Sequence, residues 1–148
     1  MEVHVRSARL TDLDAMVRML ARDDAEDDER HDGVDYLRNL LFVPSATVSV
    51  AEIERRVVGA GVLAIRPSVR SGPFVGTIDE LGIAQTATLG AAERRRVADA
   101  IVEHLVTSAR NKGCKRVEVT EPLASAEPPL WKRLGFASRG RTLNRMIG

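Results

Sequence analysis

The chain has 148 residues, of which 44% are hydrophobic and 29% charged; this composition is typical of one globular domain spanning residues 1–148 and excludes collagen-like, coiled-coil and low-complexity chains. The formal net charge of +1 excludes a strong overall attraction to nucleic acid or to an anionic membrane. The single cysteine, Cys114, rules out an intrachain disulfide, and since no membrane-length apolar run or signal peptide is found, we expect a cytoplasmic protein.

The first third of the sequence predicts a strand, two helices and an acidic loop. Residues 2–9 alternate apolar and polar side chains, as a half-buried strand does. Thr11 is expected to begin a helix whose apolar residues recur at helical spacing as far as Leu20. Residues 23–35 contain eight acidic side chains without periodicity, which predicts a solvated loop or, alternatively, a lip that attracts a cationic substrate. A short helix is expected at 36–42, before Pro44.

The middle of the sequence predicts a β-hairpin followed by a third strand. Residues 47–53 and 57–65 are rich in strand-forming side chains, and residues 54–56 separate them. The glycines at 59 and 61 match a dinucleotide-binding spacing, but no helix follows to present its N-terminus to a phosphate, so we reject that motif. Residues 75–83 form the next predicted strand.

The last third of the sequence predicts a long helix and three shorter elements. An apolar stripe with charged residues on the opposite side indicates a helix over 91–112, ended by Lys112-Gly113. Residues 115–120 and 136–147 are strand-like, and 128–134 predict a short helix that begins on prolines. The order of elements favours a mixed sheet covered by helices.

The sequence lacks the common signatures of nucleophilic and metal-assisted catalysis. No Gly-x-Ser-x-Gly elbow is found, and the three histidines at positions 4, 31 and 104 are too scattered to form a metal set. Cys114 enters a strand, where a small buried residue is the usual case. We therefore expect no bound metal.

Three segments resemble the GNAT superfamily of acetyl-CoA-dependent N-acetyltransferases. Residues 6–14 (Arg-Ser-Ala-Arg-Leu-Thr-Asp-Leu-Asp) are similar to its first strand and helix, and residues 98–119 to its long helix and following strand. Residues 130–136 (Leu-Trp-Lys-Arg-Leu-Gly-Phe) resemble its (Leu/Phe)-Tyr-x-x-x-Gly-Phe ending. The resemblance extends over the whole chain. It implies an α/β fold with a central mixed, mostly antiparallel sheet of about six to seven strands and about four helices.

The resemblance also implies a site for the pyrophosphate of acetyl-CoA. The family's Gln/Arg-x-x-Gly-x-Gly/Ala segment corresponds to residues 93–98, with Glu93 in the Gln/Arg position and Arg96 in a glycine position. Backbone N–H groups at a helix N-terminus bind such an anion, and arginines can supply charge-assisted hydrogen bonds. The expected cofactor-binding residues here are Arg94, Arg95, Arg96, Val97 and Ala98.

By the same resemblance, a carboxylate on the preceding strand removes the amine proton, and backbone N–H groups polarise the thioester carbonyl. Asp79 and Glu80 are on that strand; alternation leaves open which of them faces the cleft, and we prefer Glu80. The backbone donors fall at Ile83 and Ala84, and with Gln85 beside them these residues are expected to bind the cofactor. Trp131 holds the position of the family's tyrosine acid, where it lines the pantetheine path or packs as core.

The resemblance therefore implies acetyl transfer from acetyl-CoA to a primary amine of a small molecule or protein. The alternative is an inactive module of the same fold that binds a CoA species or a protein partner, because Arg96, Ala124 and Trp131 depart from the family's pattern. Acidic residues ahead of the hairpin favour a cationic acceptor, with Asp27, Asp28 and Glu29 as its candidate ligands. We expect no nucleic-acid partner, because the charge is balanced and aromatic residues are few. The family resemblance allows a homodimer.

Overall fold

The computed structural model describes residues 2–21, 24–70, 72–140 and 142–147. In the described ranges the strands are β1 (His4–Ser7), β2 (Ala46–Ile53), β3 (Arg56–Pro67), β4 (Phe74–Ile83) and β5 (Cys114–Val119). The helices are α1 (Leu13–Leu20), α2 (Asp27–Leu40), α3 (Ala91–Asn111), α4 (Leu123–Ala126) and α5 (Pro128–Arg133), and a 3-10 turn (Leu10–Asp12) leads into α1. None of these helices is both long and apolar enough to cross a membrane.

The strands form one mixed sheet in the order β1-β2-β3-β4-β5. The first four strands pair antiparallel, and β5 joins β4 in parallel after the crossover through α3. A two-residue turn at Glu54 and Arg55 closes the predicted hairpin, with both residues at positive φ as a type I′ turn requires. The predicted mixed α/β class and mostly antiparallel sheet are therefore confirmed.

The sheet separates two hydrophobic clusters. On one face, α3 buries Val97, Ile101 and Leu105 against β3 and its neighbours. On the other face, α1 and α2 cover the alternate residues of β2 and β3. Gly59 and Gly61 permit the close approach of α3, because a Cβ at position 59 would lie 2.7 Å from the side chains of both Val97 and Ile101. The paired glycines thus lie inside a strand and serve helix packing.

The acidic segment differs from its prediction. Asp23 lies outside the described residues, but from Asp27 onward the predicted loop is the first half of a 14-residue helix, α2. Acidic residues in a first helical turn interact favourably with the helix dipole. Farther along, Gly33 contacts Val17 of α1 and Leu37 is buried between the two helices and the sheet. A narrow apolar stripe therefore packs α2 against α1 and the sheet, while the other faces of α2 are charged.

The predicted C-terminal strand is absent from the part of 136–147 that the structure describes. Phe136 packs against the core, but Leu143 and Ile147 are 81% and 94% exposed. A strand-like pattern forms a strand only when a sheet edge and a buried face are supplied, and Leu143 and Ile147 have neither. The sheet of the described residues has five strands, fewer than the six to seven expected.

Candidate active site

The centre of the candidate site is the second half of β4, where the sheet opens. β4 and β5 pair from Phe74↔Cys114 to Ile78↔Val119, and there β5 ends. β4 continues to Ile83 while still pairing with β3 on its other side. From Asp79 to Ile83, one edge of β4 therefore has no strand partner among the described residues. An extended ligand carrying amide groups fits such an edge.

A β-bulge in this half of β4 decides where the two candidate carboxylates lie. Val62 pairs with Glu80 while its neighbour Leu63 pairs with Ile78, so Asp79 is the extra residue. Because paired residues share a face, Glu80 lies on the face of Val62, which is the α1–α2 face. Burial raises the pKa of Asp79, and burial together with the Asp79 charge raises the pKa of Glu80. Both side chains retain solvent access.

The last turn of α1 lies directly over β4 beside Glu80. A Cβ on Gly82 would be 2.6 Å from the carbonyl oxygen of Met19, so only glycine permits this approach. Residues two apart in a strand share a face, which places Glu80 and Gly82 on the same side of the sheet. Sequence reasoning did not identify Gly82 as part of the site, although a glycine inside a strand does indicate a close backbone approach.

The backbone at the end of β4 is held on one side only. The Ala84 N–H donates to the Val58 carbonyl over 2.8 Å, so it is occupied by β3. Because backbone groups alternate between the two edges of a strand, the Ile83 N–H points to the open edge. Of the two expected backbone donors, Ile83 is thus the one directed into the cleft. Gln85 follows as an exposed residue at the start of the loop.

The segment expected to wrap a pyrophosphate is helical from its first residue. Gly90 is the N-cap of α3, and the Arg94 N–H already bonds to the Gly90 carbonyl over 3.0 Å. Val97 is fully buried and Ala98 is 5% exposed. Val97 and Ala98, two of the expected cofactor-binding residues, pack α3 on the sheet, and their amides lie inside the helix. The N–H groups without intrahelical acceptors are those of Ala91, Ala92 and Glu93.

The charged side chains at this helix start have different surroundings. The Arg94 guanidinium donates to the Ala84 carbonyl over 2.7 Å, which ties the helix to the end of β4. Arg95 and Arg96 are exposed on the first turns. A carboxylate oxygen of Glu93 lies 2.9 Å from the position that a Cβ of Gly90 would occupy, so this acid lies at the helix start. The site thus combines two exposed cations with one nearby anion.

Trp131 packs as a core residue. It is 6% exposed, it makes an edge-to-face contact with Phe136 at 5.4 Å between ring centroids, and its indole N–H donates to the Leu123 carbonyl over 2.9 Å. Of the two interpretations of this position, the structure favours packing over lining of a ligand path. The indole fixes α4 to α5 at the end of β5.

The three candidate acceptor residues lie together in the first turn of α2. Asp27 and Asp28, with Glu26, line an open depression of about 420 Å³. Asp27, Asp28 and Glu29 are all exposed. α2 packs on α1, whose last turn lies over Gly82, so these acids are on the same face of the sheet as Glu80.

A larger cavity of about 480 Å³ lies elsewhere, between the ends of β1 and α2 and the C-terminal half of α3. Three of its polar side chains bond to each other: Lys112 donates to Thr47 over 3.0 Å, and Thr47 shares a 2.8 Å hydrogen bond with Ser108. These contacts fasten the end of α3 to β2. No residue of β4 lines this cavity.

Several solved structures have this fold. A transcriptional regulator from Bacillus halodurans superposes with a TM-score of 0.79 at 20% identity, covering 99% of this chain and 100% of its own. An aminoglycoside N-acetyltransferase in complex with CoA gives 0.73 at 18% identity, covering 99% and 95% of the two chains. A ribosomal-protein-alanine N-acetyltransferase from Brucella melitensis gives 0.73 at 15% identity, covering 99% and 100%. At these identities the likeness shows the fold alone.

No curated protein is significantly similar to the sequence. The family model described as acetyltransferase (GNAT) family, however, matches residues 13–136. That range runs from α1 to Phe136 and includes the bulged strand, the long helix and the segment around Trp131. The chain therefore belongs to the GNAT acetyltransferase family.

Proposed function

We propose that the protein transfers an acetyl group from acetyl-CoA to a primary amine, directly between two substrates bound at the open edge of β4. The observation that carries this proposal is the bulge at Asp79, which sets a carboxylate and an outward-pointing backbone N–H within four residues of each other beside an unpaired strand edge. Bound acetyl-CoA supplies the activated thioester. Deprotonation of the amine and polarisation of the thioester carbonyl fall to this chain.

Glu80 is the proposed general base. An amine must lose a proton to act as a nucleophile, and a carboxylate whose pKa is raised is a stronger base than an ordinary one. Burial and the Asp79 charge both raise the pKa of Glu80. Asp79 acts on the base through its charge, so the two adjacent carboxylates have separate roles.

The Ile83 N–H is the proposed donor to the thioester oxygen. Negative charge develops on that oxygen during acyl transfer, and a fixed N–H directed at it lowers the barrier. The Leu81 backbone points to the same open edge, two residues earlier, and can pair with the amides of a pantetheine arm. The strand edge therefore suits the extended part of acetyl-CoA.

The pyrophosphate would be held by the start of α3. The free N–H groups of Ala91, Ala92 and Glu93 point out of the helix N-terminus, and Arg95 adds positive charge one turn later. The Glu93 carboxylate lies in the same place and opposes an anion. We infer that side-chain charge contributes more to pyrophosphate binding in this protein than in relatives that have glycines at the start of α3.

No side chain is assigned to protonate the departing thiolate. The Trp131 N–H is committed to the Leu123 carbonyl, and an indole does not give up its proton. Asp79, Glu80 and Gln85 are exposed to solvent, so water can protonate the thiolate, which is already a rather stable leaving group.

The acceptor we propose is a cationic small molecule or protein carrying a primary amine. Support comes from the acidic first turn of α2, which lies on the face of the sheet that holds Glu80. Carboxylates there would attract a second positive group of the acceptor and leave its reacting amine at the base. A cytoplasmic location, homodimer formation and the lack of nucleic-acid and membrane partners stay predictions.

A second candidate is an inactive module that binds a CoA species or a protein partner. The observation in its favour is the helical start of α3, which places the motif amides inside hydrogen bonds and adds Glu93 where phosphate would bind. Turnover separates the two candidates, because an inactive module binds without releasing CoA thiol.

The deciding experiment measures CoA thiol release with acetyl-CoA and a panel of mono- and polyamines, for wild type and Glu80→Gln. We expect Glu80→Gln to lower kcat about 100-fold, as loss of a general base does. Wild-type kcat/KM should fall as pH decreases through the raised pKa of Glu80, and this acid limb should be missing in the variant.

Glu103→Gln is the matched control, because Glu103 is an exposed glutamate on α3, on the other face of the sheet. It should have wild-type rates. Acetyl-CoA binding with no thiol release from any amine would favour the inactive module. Equal rates for wild type and Glu80→Gln would remove Glu80 from the mechanism.

A further inference from the structure

We propose that Arg94 is a positioning residue that fixes the end of β4 for the Ile83 N–H, and that it is not a phosphate ligand. This inference rests on the proposed acetyl transfer. It assigns different tasks to arginines that are adjacent in sequence and that the family motif treats as one binding segment.

The argument begins with the hydrogen bonds of Ala84. Its N–H donates to the Val58 carbonyl over 2.8 Å, and its own carbonyl accepts from the Arg94 Nη1 over 2.7 Å. The ladder between β3 and β4 ends at the pair Gly59↔Ile83, so these are the last bonds that hold the strand. Ile83 is therefore followed at once by a residue whose two backbone groups are both bound.

Strand ends fray unless something holds them, and the loop after Ala84 is exposed from Gln85 to Thr88. Arg94 reaches across this loop from the first turn of α3 to the strand end. Val97, one turn later, is fully buried against the sheet, so the anchor itself is rigid. Arg94 thereby connects the end of β4, which carries the Ile83 N–H, directly to α3, which is packed on the sheet.

The same contact limits what else Arg94 can do. Its side chain is partly buried and one end of its guanidinium is used by a carbonyl, in a charge-assisted hydrogen bond. Arg95, the next residue, is exposed and faces solvent at the helix start. Arg95 is thus the better placed of the two to meet a phosphate.

The test compares Arg94→Ala with Arg95→Ala on two acetyl donors, acetyl-CoA and S-acetylpantetheine, which has no pyrophosphate. We expect Arg94→Ala to lower kcat about 10-fold with both donors, less than the 10²–10³-fold cost of deleting an oxyanion donor. Arg95→Ala should raise the KM for acetyl-CoA several-fold and leave S-acetylpantetheine kinetics unchanged. A defect of Arg94→Ala that disappears with S-acetylpantetheine would make Arg94 a phosphate ligand and overturn the proposal.

A second measurement does not depend on activity. Amide hydrogen exchange should be at least about 10-fold faster at Ala84 in Arg94→Ala and unchanged in Arg95→Ala, because only the first variant frees the strand end. If exchange is equal in all three proteins, the positioning contact is refuted. If exchange changes as expected but wild type uses neither donor, acetyl transfer fails as the function and the structural contact stands.

Discussion

Asp12 is a buried carboxylate, 6% exposed, at the junction between β1 and α1. Arg6 donates to both of its oxygens over 2.8 and 3.1 Å, and the Arg9 N–H donates over 2.7 Å. The Arg6 guanidinium holds the pKa of Asp12 below its usual range, against the effect of burial. This network fixes the start of α1, the helix whose last turn lies over Gly82 in the candidate site.

We predict that Asp12→Asn lowers the free energy of unfolding at pH 7 by about 3 kcal/mol. This value is at the low end of the range for breaking a buried ion pair, because Glu52 still bonds to Arg6 in the variant. Because the native pKa is depressed, the stabilisation is present at neutral pH and is lost as pH falls through that pKa. Urea titrations at several pH values check this.

Asp35→Asn is the matched control, because its pair with Arg38 is half exposed and should contribute at most about 1 kcal/mol. A loss from Asp12→Asn no greater than that of the control, or one that persists unchanged in acid, would contradict the role of the buried network.

At the same scale, the sequence indicates which carboxylates are candidates for the general base, but it does not indicate which face of the sheet each one is on. Strict alternation places neighbours on opposite faces, and the bulge at Asp79 breaks that alternation. A bulge depends on how two strands pair, so a single strand's pattern does not reveal it. Arg94 and Trp131 are similar cases, because motif position identifies the residue and the structure determines its hydrogen-bond partner.

At the scale of elements, prediction succeeded where a segment carries a strong periodic signal. The helix predicted at 91–112 is observed as Ala91–Asn111, and both hairpin strands lie within a few residues of their predicted ends. The sequence does not predict the acidic first half of α2, because its apolar stripe is narrow and its charges resemble those of a loop. The C-terminal segment has the composition of a strand, but composition cannot supply a partner edge.

The acidic first turn of α2 yields the prediction that Asp27→Asn/Asp28→Asn raises the KM for a polycationic acceptor several-fold and leaves kcat unchanged. These acids are exposed and act on acceptor binding through charge, so the effect should weaken as salt is added. Initial rates at low and at physiological ionic strength measure it.

Glu103→Gln again serves as the control, with the removal of a similar exposed charge from the opposite face. A monoamine without a second charge should also show a smaller change than a polyamine. An unchanged KM for polycations would remove the acidic turn from the acceptor site.

At the scale of the whole molecule, the two hydrophobic clusters pack against opposite faces of the same sheet. Val62 contributes to the cluster under α1 and α2, and its neighbour Leu63 to the cluster under α3. Neither cluster can lose its packing without exposing the strands that form the other. We therefore predict that residues 1–148 unfold in one cooperative transition.

Coincident urea curves from far-ultraviolet circular dichroism and from Trp131 fluorescence would check this prediction. Trp131 reports on the α3 face, whereas circular dichroism at far-ultraviolet wavelengths follows all the helices, including α1 and α2. Two separated transitions would show that the faces are independent folding units.

The separate locations of the proposed acceptor and donor contacts also determine how the substrate specificity of the protein could be changed by mutation. The proposed base and the proposed acceptor contacts belong to the α1–α2 face, whereas the proposed pyrophosphate site belongs to the start of α3 and the proposed thioester contact to the edge of β4. Randomising exposed positions of α2 would therefore vary the acceptor and leave the donor machinery intact. Gly82 sets the limit of this freedom, because any side chain there would collide with the α1 backbone. New amine specificities should therefore be sought by varying α2, while α1 and its contact with Gly82 are kept unchanged.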